Sequence, residues 1–268
     1  MRSQIKRFIP SFLLNVRRTH LINHPLKRFV REYKIAHYKK RHKTIFLTFA
    51  DGISFTSDRI VKQASAIGFF DRIIAHSRTT LGNDFLHRFR THLQHQRGYG
   101  FWSWKPSIIA ETLETMKDGD FLVYADSGCT FSDYARVALE DILLVYIKQS
   151  HAFYLPDDSN KDHLISQWTK ADVLSHFGYL NDRKVLNTRL WEAGRLGIFK
   201  SPSTVKLVKK WKSLSENIHF IDDSPSTIPE LTIFREHRHD QSLLNLLLVD
   251  FTFTSGLEHA IYATRLKH

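Results

Sequence analysis

The chain has 268 residues, 42% of them hydrophobic and 13% aromatic, enough apolar material to bury a sizeable core and too much for a disordered polymer. Its single cysteine, Cys129, excludes an internal disulfide and a cysteine-rich zinc site, which agrees with a reducing compartment and makes the cytoplasm the default. The formal charge of +12 sits at one end: residues 1–43 carry 13 Lys or Arg against the single acid Glu32, which leaves 26 basic and 26 acidic groups on the other 225 residues.

Within residues 1–43, Ile5, Phe8, Ile9, Phe12, Leu13 and Val16 recur at helical spacing among Lys6, Arg7, Arg17 and Arg18, the pattern of a basic amphipathic surface helix. Three settings suit it: packing on the body, an anionic membrane surface, or a nucleic acid. The neutral body, with no basic groove, counts against the last. No apolar run reaches the roughly 20 residues a transmembrane helix needs, and none has the form of a secretory signal.

Thr44 to Ala50, TIFLTFA, then reads as a buried strand ending on Asp51-Gly52. Thr56 or Ser57 would cap a helix with Ile60, Val61, Ala64 and Ile67 on its apolar face. Arg72 to His76 is a second strand and Phe85 to Gln94 a helix. From Arg97 to Cys129 the chain reads RGYGFWSWKPSIIAETLETMKDGDFLVYADSGC. This is an aromatic loop (Tyr99, Phe101, Trp102, Trp104), Lys105-Pro106, a helix burying Ile109, Leu113 and Met116, an Asp118-Gly119 turn, and the strand Phe121 to Ala125 closed by Asp126-Ser127-Gly128. A helix with Ala135, Ala138, Leu139, Ile142 and Tyr146 and a strand from His151 to Leu155 follow. Residues 156–190 read mostly as loop, Gly194 to Lys200 as a strand, Ser201-Pro202 as a helix start, and Asp240 to Val249 as a helix burying Leu243, Leu244, Leu247 and Leu248. The alternation predicts an α/β fold, a mostly parallel central sheet flanked by helices. It forms one domain over residues 44–268, preceded by a basic helical N-terminal extension over 1–43.

In open α/β sheets, ligands bind outside the carboxyl ends of the strands, where Asp51 and Asp126 fall. Asp51 suits a ribose or base edge; Asp126, beside Ser127 and Gly128, suits a divalent cation on a diphosphate, with Gly128 allowing close approach. Either could equally be a turn carboxylate. There is no GxxxxGK sequence and no GxGxxG after the first strand, so kinase, GTPase and dinucleotide readings lose support. His237 and His239 stand two residues apart, which on an extended segment points both imidazoles the same way, toward a shared ligand or toward solvent. Asp240 would cap the last helix, whose N terminus favours an anion. Glu192 stands at the lip of the following strand as a general base, a sugar hydrogen-bond partner or a loop ion pair. Trp102 and Trp104 suit stacking on a sugar face or anchoring the core.

Taken in order, RGYGFWSWKP, FLVYADSG, WEAGRLGIFK and EHRHDQSLLNLL resemble a group of bacterial glycosyltransferases of the GT-A type that build capsular or lipopolysaccharide glycans, over roughly residues 44–250. The resemblance implies a single Rossmann-like domain and a nucleotide-sugar donor. The acceptor would be a hydroxyl of a glycan or lipid-linked glycan in surface polysaccharide biosynthesis, and a Mn²⁺ or Mg²⁺ ion usually bridges the donor diphosphate. Asp126 matches the first carboxylate of the metal-binding strand end, and Ser127 lies beside it. Gly128 stands where a second Asp is usual, so His237 or His239 would complete the metal site. Lys105 matches a lysine facing the donor phosphates, and Gln241 and Asp240 match the start of the last helix. Asp51 would join the donor side and Trp102 and Trp104 the acceptor side. Glu192 or Asp240 would deprotonate the acceptor if the reaction inverts the anomeric centre and only position substrates if it retains. The missing second Asp motivates a rival reading, a non-catalytic nucleotide-sugar or glycan-binding module; a nucleic-acid-binding protein comes third. The expected location is cytoplasmic, peripheral at the inner face of the cell membrane through residues 1–43.

Overall fold

A computed structural model describes residues 25–50, 54–157 and 160–264, with the side chains of 54–57 left out. Asp51 and the apolar set from Ile5 to Val16 lie outside the described residues. The strands are β1 (Thr44–Phe49), β2 (Arg72–His76), β3 (Phe121–Ala125), β4 (Thr130–Phe131), β5 (Phe153–Leu155), β6 (Arg195–Phe199), β7 (Thr254–Ser255) and β8 (Ile261–Tyr262). The longer helices are α1 (Pro25–Lys39), α2 (Ser54–Ala66), α3 (Trp104–Thr115), α4 (Ala135–Gln149), α5 (Pro202–Ser215) and α6 (His239–Leu248).

Six strands form one sheet in the order β2-β1-β3-β6-β5-β7. The β1–β2, β1–β3 and β5–β7 pairs are parallel, whereas β6 runs against both its neighbours, β3 and β5. The sheet is therefore mostly parallel, as expected, with one reversed strand inside it. β4 and β8 pair separately as an antiparallel ribbon.

Central strands are covered on both faces, so their sequences are apolar throughout: all six residues of β1 and all five of β3 are buried, the pattern of strands with helices on either side. Alternate residues serve opposite cores. Phe121 and Val123 pack with Phe46, Leu139 and Tyr154, while Leu122 and Tyr124 pack with Leu47, Ile109 and Trp211, as the two-residue period of a strand dictates. On the first face Phe199 stacks on Phe121 at 4.2 Å and on Tyr146 of α4 at 3.7 Å. On the second, α5 packs between α3 and α6.

Helix α1 is docked on this body. Tyr38 is buried and its hydroxyl donates to Gly119 O at 2.6 Å, and Asp120 accepts from the Lys43 and Lys117 amides at 2.8 and 2.9 Å, fastening the start of β1 to the turn before β3. Several boundaries differ from expectation, and the stretch expected as one helix from Phe85 to Gln94 divides into a helix at Asn83–Arg88 and a single 3-10 turn at His92–Gln94. Helix α2 already includes residue 54, so Thr56 and Ser57 lie inside it. The stretch 156–190 contains short helices at Ile165–Trp168, Ala171–His176 and Arg183–Leu186, each too short to show a helical period. Asp240 does not cap α6: Arg238 holds that position without a side-chain bond, and the Asp240 carboxylate turns inward.

Trp211 of α5 is fully buried and its indole Nε1 donates to Asp240 O at 2.9 Å. Trp211→Phe should cost about 1–3 kcal/mol from the stranded carbonyl alone, measured by urea denaturation against the wild type.

Candidate active site

The first turn of α3 is set against the end of β3 by the aromatic loop before it. Tyr99, Phe101 and Trp102 take positive φ values of 47°, 58° and 59°, and Gly98 and Gly100 do so at 56° and 79°. A Cβ at Gly98 would lie 2.4 Å from the Trp102 ring, so both its φ and its lack of a side chain are required. Trp104 Nε1 donates to Gly98 O at 3.0 Å and closes the loop. This winding brings Lys105 under the carboxyl end of β3.

There, four of the expected residues converge. The Lys105 ammonium lies 2.9 Å from Asp240 Oδ2 and 3.5 Å from Asp126 Oδ1. Lys105 and Asp240 are 4% and 5% exposed at the side chain, whereas Asp126 is 41% exposed. Tyr124, two residues before Asp126 and on the same side of the strand, donates its hydroxyl to Asp126 Oδ1. The fourth residue arrives because β6 is antiparallel to β3: its amino end, where Arg195 pairs with Ala125, meets the carboxyl end of β3. Asp126 N donates to Gly194 O at 2.8 Å. A Cβ at Gly194 would stand 2.7 Å from Asp126 Oδ2 and 2.9 Å from Glu192 Oε1, so those two oxygens are at most 5.6 Å apart, the sum of the two distances. Glu192 Oε2 pairs with the guanidinium of Arg195, which is 1% exposed and also donates to Ile261 O at 2.7 Å.

Electrostatics divide this cluster into a locked inner half and an open outer half. Burial pushes the Asp240 carboxyl up to about 6, and nearby Asp126 adds to the rise while Lys105 opposes it. For Lys105, burial works against the charge, but the two carboxylates outweigh it and its pKa is raised. Burial, then Asp126, hold the Tyr124 phenol well above its ordinary range, so it stays a neutral donor. The Cys129 thiol is likewise raised by burial first and is inert as a nucleophile.

Several expected roles change. Lys105 does not face outward toward phosphates; it is buried between two carboxylates. Trp104 is 5% exposed and stacks on Phe49 at 3.9 Å, so it anchors the core and presents no sugar platform. Trp102 stays partly exposed, beside His239 at 5.2 Å. Gln241 donates to Trp191 O at 2.9 Å, and Asn245 bonds both Trp191 N and Trp191 O, so the pair clamps the segment leading to Glu192. Ser127 and Gly128 shape the turn after Asp126, where their carbonyls accept from Arg59 at 2.9 Å and Thr264 at 2.7 Å. His237 Nε2 donates to Phe220 O at 2.9 Å while Nδ1 accepts from Lys170 N at 3.4 Å. Burial holds it neutral, its pKa lowered to about 3. It has no lone pair left for a metal ion. His239 directs Nδ1 to Ile221 O at 2.7 Å. The set Asp126, His237 and His239 therefore does not fit a cation, and no group of three or more His, Cys, Asp or Glu among the described residues could hold one. Asp126 Oδ2 and Glu192 Oε1 are the two carboxylate oxygens that face the Gly194 position.

Three contributors escaped the sequence reading. Tyr124 was hidden in an apolar strand, although a hydroxyl at two residues from Asp126 must share its side of the pleat. Arg195 could have been found as a charge inside the apolar run GRLGIFK, since a buried charge must be paired. Gly194 gave no signal.

No family model matches the chain, and no curated protein matches it. Solved structures similar to it include a glycosyltransferase involved in glycosylation of the major capsid of PBCV-1, at 9% identity over 65% of this chain and 67% of that one, with a TM-score of 0.34. Mouse xyloside xylosyltransferase 1 in its apo form is 11% identical over 84% of this chain and 78% of that one, with a TM-score of 0.41. The glycosyltransferase GlyE of Streptococcus pneumoniae TIGR4 is 14% identical over 80% of this chain, with a TM-score of 0.40; the match spans 45% of the GlyE chain.

Removing the central cation should strand Asp240. Lys105→Met is expected to lose about 3–5 kcal/mol of stability at neutral pH and less in mild acid, where Asp240 protonates. Asp240 itself imposes a pH dependence of definite sign. Its folded pKa of about 6 exceeds the ordinary 3.8, so between those values the native state holds a proton that the unfolded chain has released. Its contribution to stability is then greatest below the ordinary carboxylate range and is lost as pH rises through about 6. Asp240→Asn should remove that component, so that across this window the wild-type Tm declines with rising pH relative to the variant; parallel profiles would contradict the assignment.

Proposed function

We propose that the chain is a glycosyltransferase of the GT-A kind, moving a sugar from a nucleoside-diphosphate donor to a hydroxyl of a glycan or lipid-linked glycan in surface polysaccharide synthesis. The observation that carries the reading is the half-buried carboxylate pair of Asp126 and Glu192 at the carboxyl end of β3, held from beneath by Lys105 and Arg195.

Two carboxylates at the mouth present like charge, which a diphosphate enters only with a counter-ion. In this reading Asp126 would hold Mn²⁺ or Mg²⁺ together with the substrate phosphates, and the ion's chemistry is to neutralise charge on the departing diphosphate. The remaining roles belong to the chain. Lys105 and Tyr124 hold Asp126 Oδ1 from below and leave Oδ2 toward the mouth. Asp240, 5% exposed behind Lys105, is a positioning residue and not the acceptor base. Glu192, with Oε2 tied to Arg195 and Oε1 toward Asp126, is the carboxylate placed to take the proton of an acceptor hydroxyl if the reaction inverts. Trp102, partly exposed beside His239, is the indole assigned to the acceptor sugar.

Donor hydrolysis and transfer with a panel of nucleotide sugars and Mn²⁺ test this reading. Asp126→Asn should lower turnover by about 10²–10³-fold, as removal of a principal electrostatic group does. Gly194→Ala, which intrudes only on the movable ends of Asp126 and Glu192, should leave Tm within a few degrees yet slow transfer by about 10²-fold through misplacement. Nucleotide-sugar binding without turnover on any acceptor would instead favour a non-catalytic binding module, and no binding of any nucleotide sugar would remove the reading.

A further inference from the structure

A surface helix normally has one apolar face, turned to the core; α1 has two. One of them meets the body: Ile35 and Tyr38 are 9% and 4% exposed, and Arg31 pairs with Asp141 and Glu140 of α4. On the other, Leu26, Phe29, Val30 and Tyr33 are 65%, 64%, 42% and 62% exposed. At 3.6 residues per turn these four fall within an arc of about 100°, opposite Ile35 and Tyr38. Single exposed hydrophobics are ordinary, whereas a contiguous stripe marks an interaction surface.

Exposed apolar side chains also occur on α4. Of nine exposed large hydrophobics among the described residues, four are on α1 and three more, Tyr134, Val137 and Ile147, are on or at the start of α4, the helix α1 packs against. Exposed Lys27 and Lys34 flank the stripe on one side, and exposed Lys40 follows the end of the helix. The only acid in residues 1–43 is Glu32, and it is already paired with Arg28 at 2.8 Å.

We propose that this face of α1 is a docking surface for an anionic lipid bilayer, with α1 lying in the plane of the interface. Charge complementarity selects lipid over the other apolar partners. A second copy seated on the stripe would bring two arms of like charge together across a two-fold axis, and a nucleic acid would have no use for four exposed apolar side chains. An anionic bilayer takes both features at once: the stripe enters the headgroup–acyl boundary, and the flanking lysines stay at the phosphates. Polarity along the helix adds a consequence. Arg31 meets the first half of α4 and Tyr38 meets Tyr146 near its end, so the two helices run parallel. The Tyr38 hydroxyl sits at Gly119, before β3 begins. The amino end of α1, with Leu26 and Phe29, therefore points to the end of the sheet that carries Asp126.

Sedimentation of the full chain with vesicles tests this without any assumption about the reaction. Binding to vesicles of phosphatidylcholine with phosphatidylserine should exceed binding to phosphatidylcholine alone and weaken as salt is raised. The double variant Phe29→Ser/Tyr33→Ser should bind at least ~10-fold more weakly with an unchanged Tm, because both side chains are exposed. Lys27→Glu/Lys34→Glu should lose the phosphatidylserine preference. The proposal is overturned if the serine variant binds like the wild type or if the wild type ignores both vesicles at low salt. A concentration-dependent dimer abolished by the serine variant would show a second copy on the stripe. A lipid-indifferent protein whose Tm falls in that variant would show residues 1–24 covering it. Either would also overturn the proposal.

Discussion

The Lys105 ammonium, lying between Asp126 and Asp240, is the contact on which the site depends. It joins the first turns of α3 and α6 to the end of β3, three elements far apart in the chain. A buried ion pair is weak evidence of net stability, because desolvation offsets most of the attraction. Its effect here is to set register: a shift of α3 or α6 by one residue would leave a charge without its partner in a place where Lys105 and Asp240 have almost no access to water. The neighbouring contacts follow from that requirement. The left-handed loop from Gly98 to Trp102 aims α3, Trp211 holds the Asp240 carbonyl, and Gln241 with Asn245 carries the register of α6 on to Trp191.

The second constraint is the direction of β6. In a wholly parallel sheet the segment before β6 would open at the amino end of β3, about 16 Å from Asp126 for a five-residue strand. Reversal places Glu192, Gly194 and Arg195 beside Asp126, and the Asp126 N to Gly194 O bond fixes the junction. Strand direction is not written in local periodicity, so nothing in the run GRLGIFK distinguishes the two arrangements.

What the sequence made legible follows the same logic. The strands β1, β3 and β6 and the helices α3 to α6 were visible because burial on two faces, or on one helical stripe, leaves a long apolar signature. Lys105, Asp126, Glu192 and Asp240 were named as site residues, and the structure brings them together. Their directions were not legible: a lysine after an aromatic loop looks the same whether it faces a ligand or two carboxylates. The histidines show the opposite error. Pointing His237 and His239 the same way assumed an extended segment, but His239 is the first residue of α6 with φ at 48°, and both imidazoles are committed to backbone carbonyls of the Phe220–Ile221 turn.

The same distinction between chain and space bears on Gly128. A motif is a local object, so a glycine in place of a second acid reads as a loss. In three dimensions the position beside Asp126 is filled by Glu192, from the segment leading into the neighbouring strand β6, its Oε1 at most 5.6 Å from Asp126 Oδ2 across Gly194. Among the described residues nothing lies within 4 Å of where a Gly128 Cβ would stand, and the glycine's carbonyl accepts from Thr264 at 2.7 Å. A carboxylate pair needs two oxygens at the right separation and a counter-charge beneath them. Here the sheet supplies the first through Gly194, which leaves room for both carboxylates by having no side chain of its own, and Lys105 and Arg195 supply the second. In the proposed transfer, those cations are already buried and paired, so little reorganisation would remain as charge develops, the condition under which fixed electrostatics contribute most.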